Sequence, residues 1–153
     1  MARSTFVYVT YIRTTPAALW SALTDPQFIR QYWFGMRCES SFTTGAPWRL
    51  VSEDGETWDD GEVVEADPPR RLVIRWEHRK RPEIAGEGPS LCTMELTQEG
   101  PAVKLAITHA IDHAPSKFIE AVSGGWPKIM ANLKSLLETG SAVLVEAYPK
   151  AEG

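Results

Sequence analysis

The feature that most constrains this chain is a change of apolar period near residue 115. From residue 38 to residue 109 no helical period is found, and β-length apolar runs alternate with turns rich in Gly, Pro and Asp. After residue 115, apolar side chains recur every three or four residues until Gly140, which is typical of an amphipathic helix. A chain of this order is expected to cover an antiparallel sheet with its C-terminal helix.

Two short sequences interrupt the C-terminal helical pattern. Gly124 and Gly125 favour helix less than other residues do, and Pro127 lacks the backbone N–H that a helix interior requires. We therefore predict a short helix over residues 115–122 and a longer helix over residues 125–139, with Pro127 in the first turn of the second. The sequence leaves open whether the two helices run on through a kink.

The clearest strand covers residues 72–78, where apolar side chains and His78 share one face while Arg75 and Glu77 share the other. Residues 92–96 and 103–109 repeat this alternation. It predicts an antiparallel sheet that is covered on one face only. Residues 62–66 are predicted to form a strand of ambiguous register, and the Asp-Gly pair at residues 54–55 predicts a hairpin turn.

The N-terminal part begins with β-branched and aromatic residues over positions 5–13, which favour a strand. Thr15 with Pro16, and Asp25 with Pro26, then combine a capping side chain with a proline, so two short helices are predicted. Five or so antiparallel strands and the C-terminal helix follow. The result is a single α+β domain over residues 1–153, with its core in residues 5–140 and a tail in residues 141–153.

A bent sheet with one apolar face and a covering helix leaves space for a cavity between them. The side chains predicted to point inward are unusually large, and aromatic and Met residues adapt well to apolar ligands. We predict that the cavity is lined by Phe28, Tyr32, Trp33, Trp48, Val64, Ile74, Trp76, Met94, Leu105, Trp126, Met130 and Leu133. The alternative is a core that these side chains fill themselves.

Catalytic candidates are few. His78 and His109 fall on inward faces of their strands, near the strand ends, where a general acid or base could act on a bound molecule. Side chains at strand ends are also commonly solvent-exposed, so no residue is assigned a catalytic role. Cys38 and Cys92 lack the spacing of a zinc site and no cofactor motif is found, so neither metal nor cofactor is predicted.

Charge and hydropathy exclude several classes of partner. The net charge is −4 and the basic residues are scattered, whereas nucleic-acid-binding proteins concentrate positive charge on one face. No segment approaches the roughly 20 apolar residues that cross a bilayer, and the first eleven residues do not resemble a signal peptide. We therefore expect no nucleic-acid or membrane partner and a cytoplasmic location.

Four segments, residues 15–26, 32–35, 61–76 and 125–138, resemble the SRPBCC superfamily. Within it they are most similar to the branch named after homologues of the heat-shock-protein-90 ATPase activator. The resemblance covers about residues 5–140 and departs from the usual pattern at Pro127, directly after Gly125 and Trp126. It implies a START or Bet v 1-like helix-grip fold, in which a curved sheet and a long helix enclose an apolar cavity.

The resemblance leaves three functions open. The first is binding of a lipid-like, polyketide-like or aromatic small molecule in the cavity. The second is a protein-binding module that stimulates a chaperone ATPase, and the third is a cyclase or dehydratase that uses a histidine at the cavity rim. A homodimer formed through a sheet edge or through the short helices is compatible with each of them.

Overall fold

The computed structural model describes residues 3–144. The tail predicted from residue 141 onward falls mostly on residues 145–153, outside the described residues. Within residues 3–144 the strands are β1 Ser4–Ile12, β2 Arg37–Glu39, β3 Pro47–Val51, β4 Thr57–Asp67, β5 Arg71–His78, β6 Ser90–Glu99 and β7 Ala102–Ile111. The helices are α1 Pro16–Thr24, α2 Pro26–Tyr32, α3 Pro82–Ala85 and α4 Lys117–Thr139.

The strands form one curved antiparallel sheet in the order β1-β7-β6-β5-β4-β3-β2. The first strand therefore pairs with the last, in a register that places Phe6 opposite His109. α4 packs against β1, β7 and α2. This arrangement confirms the predicted α+β helix-grip fold, with two short helices after the first strand.

Alternation along β5, β6 and β7 follows the sequence pattern. Inward side chains such as Ile74, Cys92 and Met94 are buried, whereas their neighbours Arg75, Leu91 and Glu95 are exposed. The covered face carries the core, and the opposite face meets water.

β4 departs from simple alternation at a bulge. Val63 pairs with Ile74 and Glu65 pairs with Val73, so Val64 is an extra residue between them. Val63 is fully buried and Val64 is 43% exposed. The prediction that Val64 lines the cavity is therefore wrong, because the bulge turns Val63 to the inner face.

The short helices begin as their capping residues predict. The Ala18 amide donates to Thr15 Oγ1 at 3.2 Å at the start of α1, and the Gln27 amide donates to Asp25 Oδ1 at 2.9 Å at the start of α2. Pro16 and Pro26 occupy the first turns. α3 is absent from the sequence prediction, because a helix of one turn is too short to show an apolar period.

α4 is a single helix that starts after Ser116 and ends at Gly140, which has a φ of 87°. The two predicted helices therefore run on as one, which is the alternative that the sequence left open. Pro127 removes only one intrahelical hydrogen bond, while Trp126, Ile129 and Met130 on the same part of the helix are buried in the core. Tertiary packing thus holds the helix together through its least favourable turn.

Candidate ligand-binding site

Within residues 3–144, two of the spaces between the sheet and α4 differ greatly in size. One is an interior void of about 20 Å³, which is room for about one water molecule. The other is a cavity of about 570 Å³, nearer to the start of α4. Ligand sites for small molecules commonly measure roughly 300–1,000 Å³, so only the larger space is of a suitable size.

Most residues predicted to line a ligand cavity lie instead around the small void. Those lining it are Tyr32, Trp33, Trp48, Ile74, Trp76, Met94, Trp126 and Met130. Leu105 and Leu133 are fully buried and Phe28 packs against the core, and these three residues line neither space. The large side chains in this region therefore fill most of the interior themselves.

Four of these side chains form a tryptophan cluster of Trp33, Trp48, Trp76 and Trp126. The ring centroids of Trp48 and Trp76 are 4.4 Å apart, and Trp33 lies 6.0 Å from Trp76 and 5.6 Å from Trp126. Trp33, Trp76 and Trp126 also border the cavity. The cluster thus separates the filled interior from the cavity and supplies an aromatic wall to the latter.

The cavity is built by four parts of the chain. These are the turn after α2, the β3–β4 hairpin, the end of β5 with α3, and the first half of α4. Besides the three tryptophans, its wall contains Phe34, Gly35, Met36, Leu50, Ser52, Glu53, Asp54, Trp58, Asp59, His78, Arg81, Ile84, Phe118, Ala121, Val122, Gly125, Lys128 and Ile129. Its lining is mainly apolar, with charged residues in the β3–β4 turn and after β5.

Sequence reasoning missed most of this lining for identifiable reasons. Phe118, Val122 and Ile129 stand on the predicted helical stripe, but that stripe does not show which part of the helix leaves space open. Trp58 is the extra residue of a second bulge, where Thr57 pairs with Val51 and Asp59 pairs with Leu50. Because a bulge breaks the alternation of side chains, the neighbours Trp58 and Asp59 both line the cavity.

His109 lies behind the cavity and is fully buried. Trp126 Nε1 donates to His109 Nδ1 at 3.1 Å, and His109 Nε2 lies 2.9 Å from Ser90 Oγ. Since Ser90 Oγ donates to the Trp76 carbonyl, His109 Nε2 carries the proton and donates to Ser90. Burial lowers the pKa of His109 to about 3. Both ring nitrogens are therefore engaged, and this histidine is a structural link rather than an acid or base.

His78 has a different environment, because it belongs to the cavity wall. Its Nδ1 lies 2.8 Å from Asp59 Oδ1, and Trp76 Nε1 donates to the same oxygen at 2.9 Å. The Asp59 side chain is 10% exposed and that of His78 is 12% exposed. Asp59 thus orients one ring of the tryptophan cluster and the histidine together.

The start of α4 is tied to the loop after α3 by a nearly buried carboxylate. Glu87 accepts hydrogen bonds from Ser116 Oγ at 2.7 Å and from the amides of Lys117 and Phe118 at 2.8 and 3.3 Å. Burial raises the pKa of Glu87, but these hydrogen bonds outweigh it, so the pKa lies below its usual value. This contact fixes the helix that forms one side of the cavity.

The turn after α2 contributes backbone of unusual conformation to the cavity. Phe34 has a φ of 55° and Gly35 a φ of 82°. A left-handed conformation costs a residue with a side chain about 1–2 kcal/mol, so the surrounding packing must hold Phe34 in place. Glu53 lies directly opposite Gly35, where an added Cβ would approach its Oε1 to 2.5 Å.

Within residues 3–144, no three His, Cys, Asp or Glu side chains lie close enough together to hold a metal ion. Both cysteines are buried, and burial raises the pKa of Cys38 to about 12. No helix in this part of the chain is long and apolar enough to cross a membrane.

Comparison with known proteins gives one family match. The model of a family described as activator of Hsp90 ATPase homolog 1-like protein matches residues 13–138. No curated protein sequence matches the chain.

Several solved structures share the fold. The crystal structure of CalU16 from Micromonospora echinospora has a TM-score of 0.72 and 21% identity, and the match covers 89% of this chain and 77% of that one. PFC0360w, an HSP90 activator from Plasmodium falciparum, has a TM-score of 0.71 and 24% identity over 87% and 95% of the two chains. The Aha1 dimer from Colwellia psychrerythraea has a TM-score of 0.73 and 17% identity over 90% and 98%. At these identities the likeness establishes the fold.

Proposed function

The chain belongs to the family of activator of Hsp90 ATPase homolog 1-like proteins, within the SRPBCC superfamily, and from this premise we propose that it binds an apolar small molecule. The site is the cavity of about 570 Å³ between the β3–β4 hairpin, the end of β5 and the first half of α4. Its volume is the observation that carries the proposal, since it matches that of small-molecule sites and far exceeds the packing voids of an ordinary core.

The side chains of the wall support an aromatic or otherwise planar apolar ligand. Five aromatic rings line the same cavity, namely those of Trp33, Trp76, Trp126, Phe34 and Phe118. Flat rings make large contact areas at a small cost in side-chain entropy, and they stack on planar ligands. A polyketide-like or other aromatic molecule is therefore favoured over a lipid-like one.

A variant that fills the cavity tests the proposal. Ala121 lines the cavity from α4, so Ala121→Trp places a large side chain where the ligand is proposed to lie. We expect this variant to fold and to lose at least about tenfold in affinity for the fluorescent dye anilinonaphthalene sulfonate, measured by titration.

Glu120→Trp is the matched control. It adds the same ring one residue away, at a position that is exposed and outside the cavity, so dye affinity should stay near that of the parent. Equal dye binding by Ala121→Trp and the parent protein would show that the dye does not enter this cavity and would contradict the proposal.

Native mass spectrometry provides the identity of the ligand class. Protein purified gently from its own cells is expected to carry a recurring small mass, which organic extraction releases, and the Ala121→Trp variant is expected to lack it. Protein that emerges free of any added mass and binds no dye would count against a ligand-carrying role.

The chaperone hypothesis has support from the family name and from the HSP90 activator among the similar structures. It predicts that the purified protein accelerates ATP hydrolysis by an Hsp90-type chaperone. The two hypotheses separate experimentally, because stimulation through an outer surface should survive Ala121→Trp. A homodimer of this chain stays a prediction. Its support is the dimer described for the similar structure from Colwellia psychrerythraea.

A further inference from the structure

Two ring nitrogens in the cavity wall have no hydrogen-bond partner among the described residues. They are Trp58 Nε1 and His78 Nε2, and both are shielded from water. A buried polar group that is left unpaired destabilises the folded state, and such groups in folded proteins call for a specific explanation. Both rings border the same cavity, which points to a molecule in the cavity as the missing partner.

The proton positions on these rings follow from their neighbours. Trp76 Nε1 can only donate, so Asp59 Oδ1 accepts that hydrogen bond, and His78 Nδ1 approaches the same oxygen with its own N–H. In the neutral tautomer that carries its proton on Nδ1, His78 presents an acceptor at Nε2. Trp58 Nε1 is a donor only. These two rings thus offer the cavity one donor and one acceptor beside its aromatic lining.

Asp59 adds a second acceptor to this part of the wall. Its Oδ1 takes both hydrogen bonds described above, whereas its Oδ2 has no partner among residues 3–144 and is not sealed from solvent as the two ring nitrogens are. Asp59 also lines the cavity. A ligand group that donates a hydrogen bond therefore finds acceptors here on both Asp59 and His78.

Resting on the proposed function, we propose that the ligand is an apolar molecule that carries a hydroxyl group, and that Trp58, Asp59 and His78 bind this group. A hydroxyl donates one hydrogen bond and accepts others, so it suits a wall that offers both an acceptor and a donor. An ammonium group cannot accept from Trp58 Nε1, and a carboxylate cannot donate to His78 Nε2. A hydroxyl is thus the simplest group that pairs both ring nitrogens.

Binding requires a small movement of the wall. Because neither ring nitrogen is reached by water, the indole of Trp58 and the imidazole of His78 must turn slightly toward the ligand. The His78 ring lies 6.5 Å from the ring of Phe118 on α4, and Trp58 is partly exposed. The two side chains that would turn both belong to the cavity wall.

Paired probes test the inference. Naphthol and methylnaphthalene, substituted at the same position, have nearly the same shape but differ in the hydroxyl group. We expect the parent protein to bind naphthol at least about tenfold more tightly, since a site built to hydrogen-bond a hydroxyl rejects the analogue that lacks it. Calorimetric titration measures both affinities.

Trp58→Phe removes the indole N–H and should reduce this preference severalfold, with little change in the affinity for methylnaphthalene. Trp20→Phe makes the same change in a partly buried tryptophan outside the cavity, and should preserve the preference. In the parent protein, the indole N–H resonance of Trp58 should move on addition of naphthol and not on addition of methylnaphthalene.

The outcomes distinguish the inference of a hydroxyl group from the proposal of an apolar ligand. Tight binding of both probes with equal affinity would overturn the hydroxyl inference and leave the apolar-ligand proposal standing. A preference for naphthol that Trp58→Phe leaves intact would also overturn it. Failure of the folded parent protein to bind either probe would contradict both.

Discussion

His109 is a polar side chain at the centre of the core, fully buried between the sheet and α4. Its two ring nitrogens join Trp126 on α4 to Ser90 on β6, and Ser90 in turn bonds to the Trp76 carbonyl on β5. Each polar atom in this chain of hydrogen bonds has a partner, so burial carries no unpaired cost. The network positions two rings of the tryptophan cluster and leaves no nitrogen free for proton transfer.

This environment predicts a dependence of stability on pH. Folded His109 has a pKa of about 3, whereas its ordinary value is 6.5. Its contribution is therefore fully present above pH 6.5 and is lost as the pH falls toward 3, because the unfolded chain takes up the proton first. One such group changes stability by about 1.4 kcal/mol per pH unit, so the free energy of unfolding should fall by about 2 kcal/mol between pH 6.5 and pH 5.

Urea unfolding at the two pH values measures this loss, and His109→Gln provides the comparison. The variant will be less stable overall, but its change between pH 6.5 and pH 5 should be smaller than that of the parent protein by about 2 kcal/mol. An equal change in both proteins would contradict the assignment of a buried neutral imidazole.

At the scale of the elements, Gly61 allows three strands to place two tryptophans side by side. Gly61 on β4 pairs with Trp48 on β3 and with Trp76 on β5. An added Cβ at Gly61 would lie 1.7 Å from the Arg75 carbonyl oxygen. A glycine in a strand interior often marks such a close approach of backbone, and here it lies between the two strand residues whose indole rings pack together.

Gly61→Ala should therefore cost at least about 3 kcal/mol of unfolding free energy or prevent folding, because backbone atoms of β5 would have to move. Gly124→Ala on α4 is the matched control. Gly124 is exposed with nothing within 4 Å of an added Cβ, so this change should stabilise the protein by about 0.5–1 kcal/mol. Chemical denaturation measures the free energy of unfolding of both variants. A loss of less than about 1 kcal/mol for Gly61→Ala would contradict a close contact between its Cβ and the Arg75 carbonyl oxygen.

At the scale of the whole molecule, α4 is attached to the rest of the chain near both of its ends. Glu87 holds the first turn, and near the last turn Glu138 accepts from the Arg13 amide while Lys134 donates to the Tyr11 carbonyl. Between these attachments, Trp126 and its neighbours close the interior. The cavity is left beside the first half of the helix, where Ala121 and Gly125 are too small to fill it.

Glu87→Ala tests the attachment at the start of α4. The lost hydrogen bonds to Ser116 and to two helix amides should lower the free energy of unfolding by about 1–2 kcal/mol at pH 7. Because the folded pKa lies below its ordinary value of 4.5, this contribution is present above pH 4.5 and is lost as the pH falls through the folded value.

Denaturant titration at pH 7 and at pH 3 checks both parts of the expectation, and the parent and Glu87→Ala should differ less in stability at pH 3. Glu83→Ala, at an exposed position four residues earlier, should stay within about 0.5 kcal/mol of the parent. If the two variants behaved alike at pH 7, Glu87 would not be holding α4.

The amino-acid sequence by itself determined the kind of fold and the order of its elements. Both the alternation along residues 72–78 and 103–109 and the helical stripe after residue 115 depend on the spacing of apolar residues along the chain. This spacing matches the side-chain period of the strand or helix that forms, so it is recognisable in the sequence. Capping by Thr15 and Asp25 could also be predicted from the sequence, because a cap involves residues only two or three positions apart.

Tertiary structure alone decided where the cavity lies and which side chains line it. Apart from Val64, the predicted cavity residues lie on the inner side of the sheet or pack against the core, but the tryptophan cluster fills the space between them. Packing density depends on distances in the folded chain that the spacing of residues in the sequence does not contain. The bulges in β4 exposed Val64 and brought Trp58 into the cavity wall. Helix α4 continued through Pro127 because core packing outweighed one missing hydrogen bond.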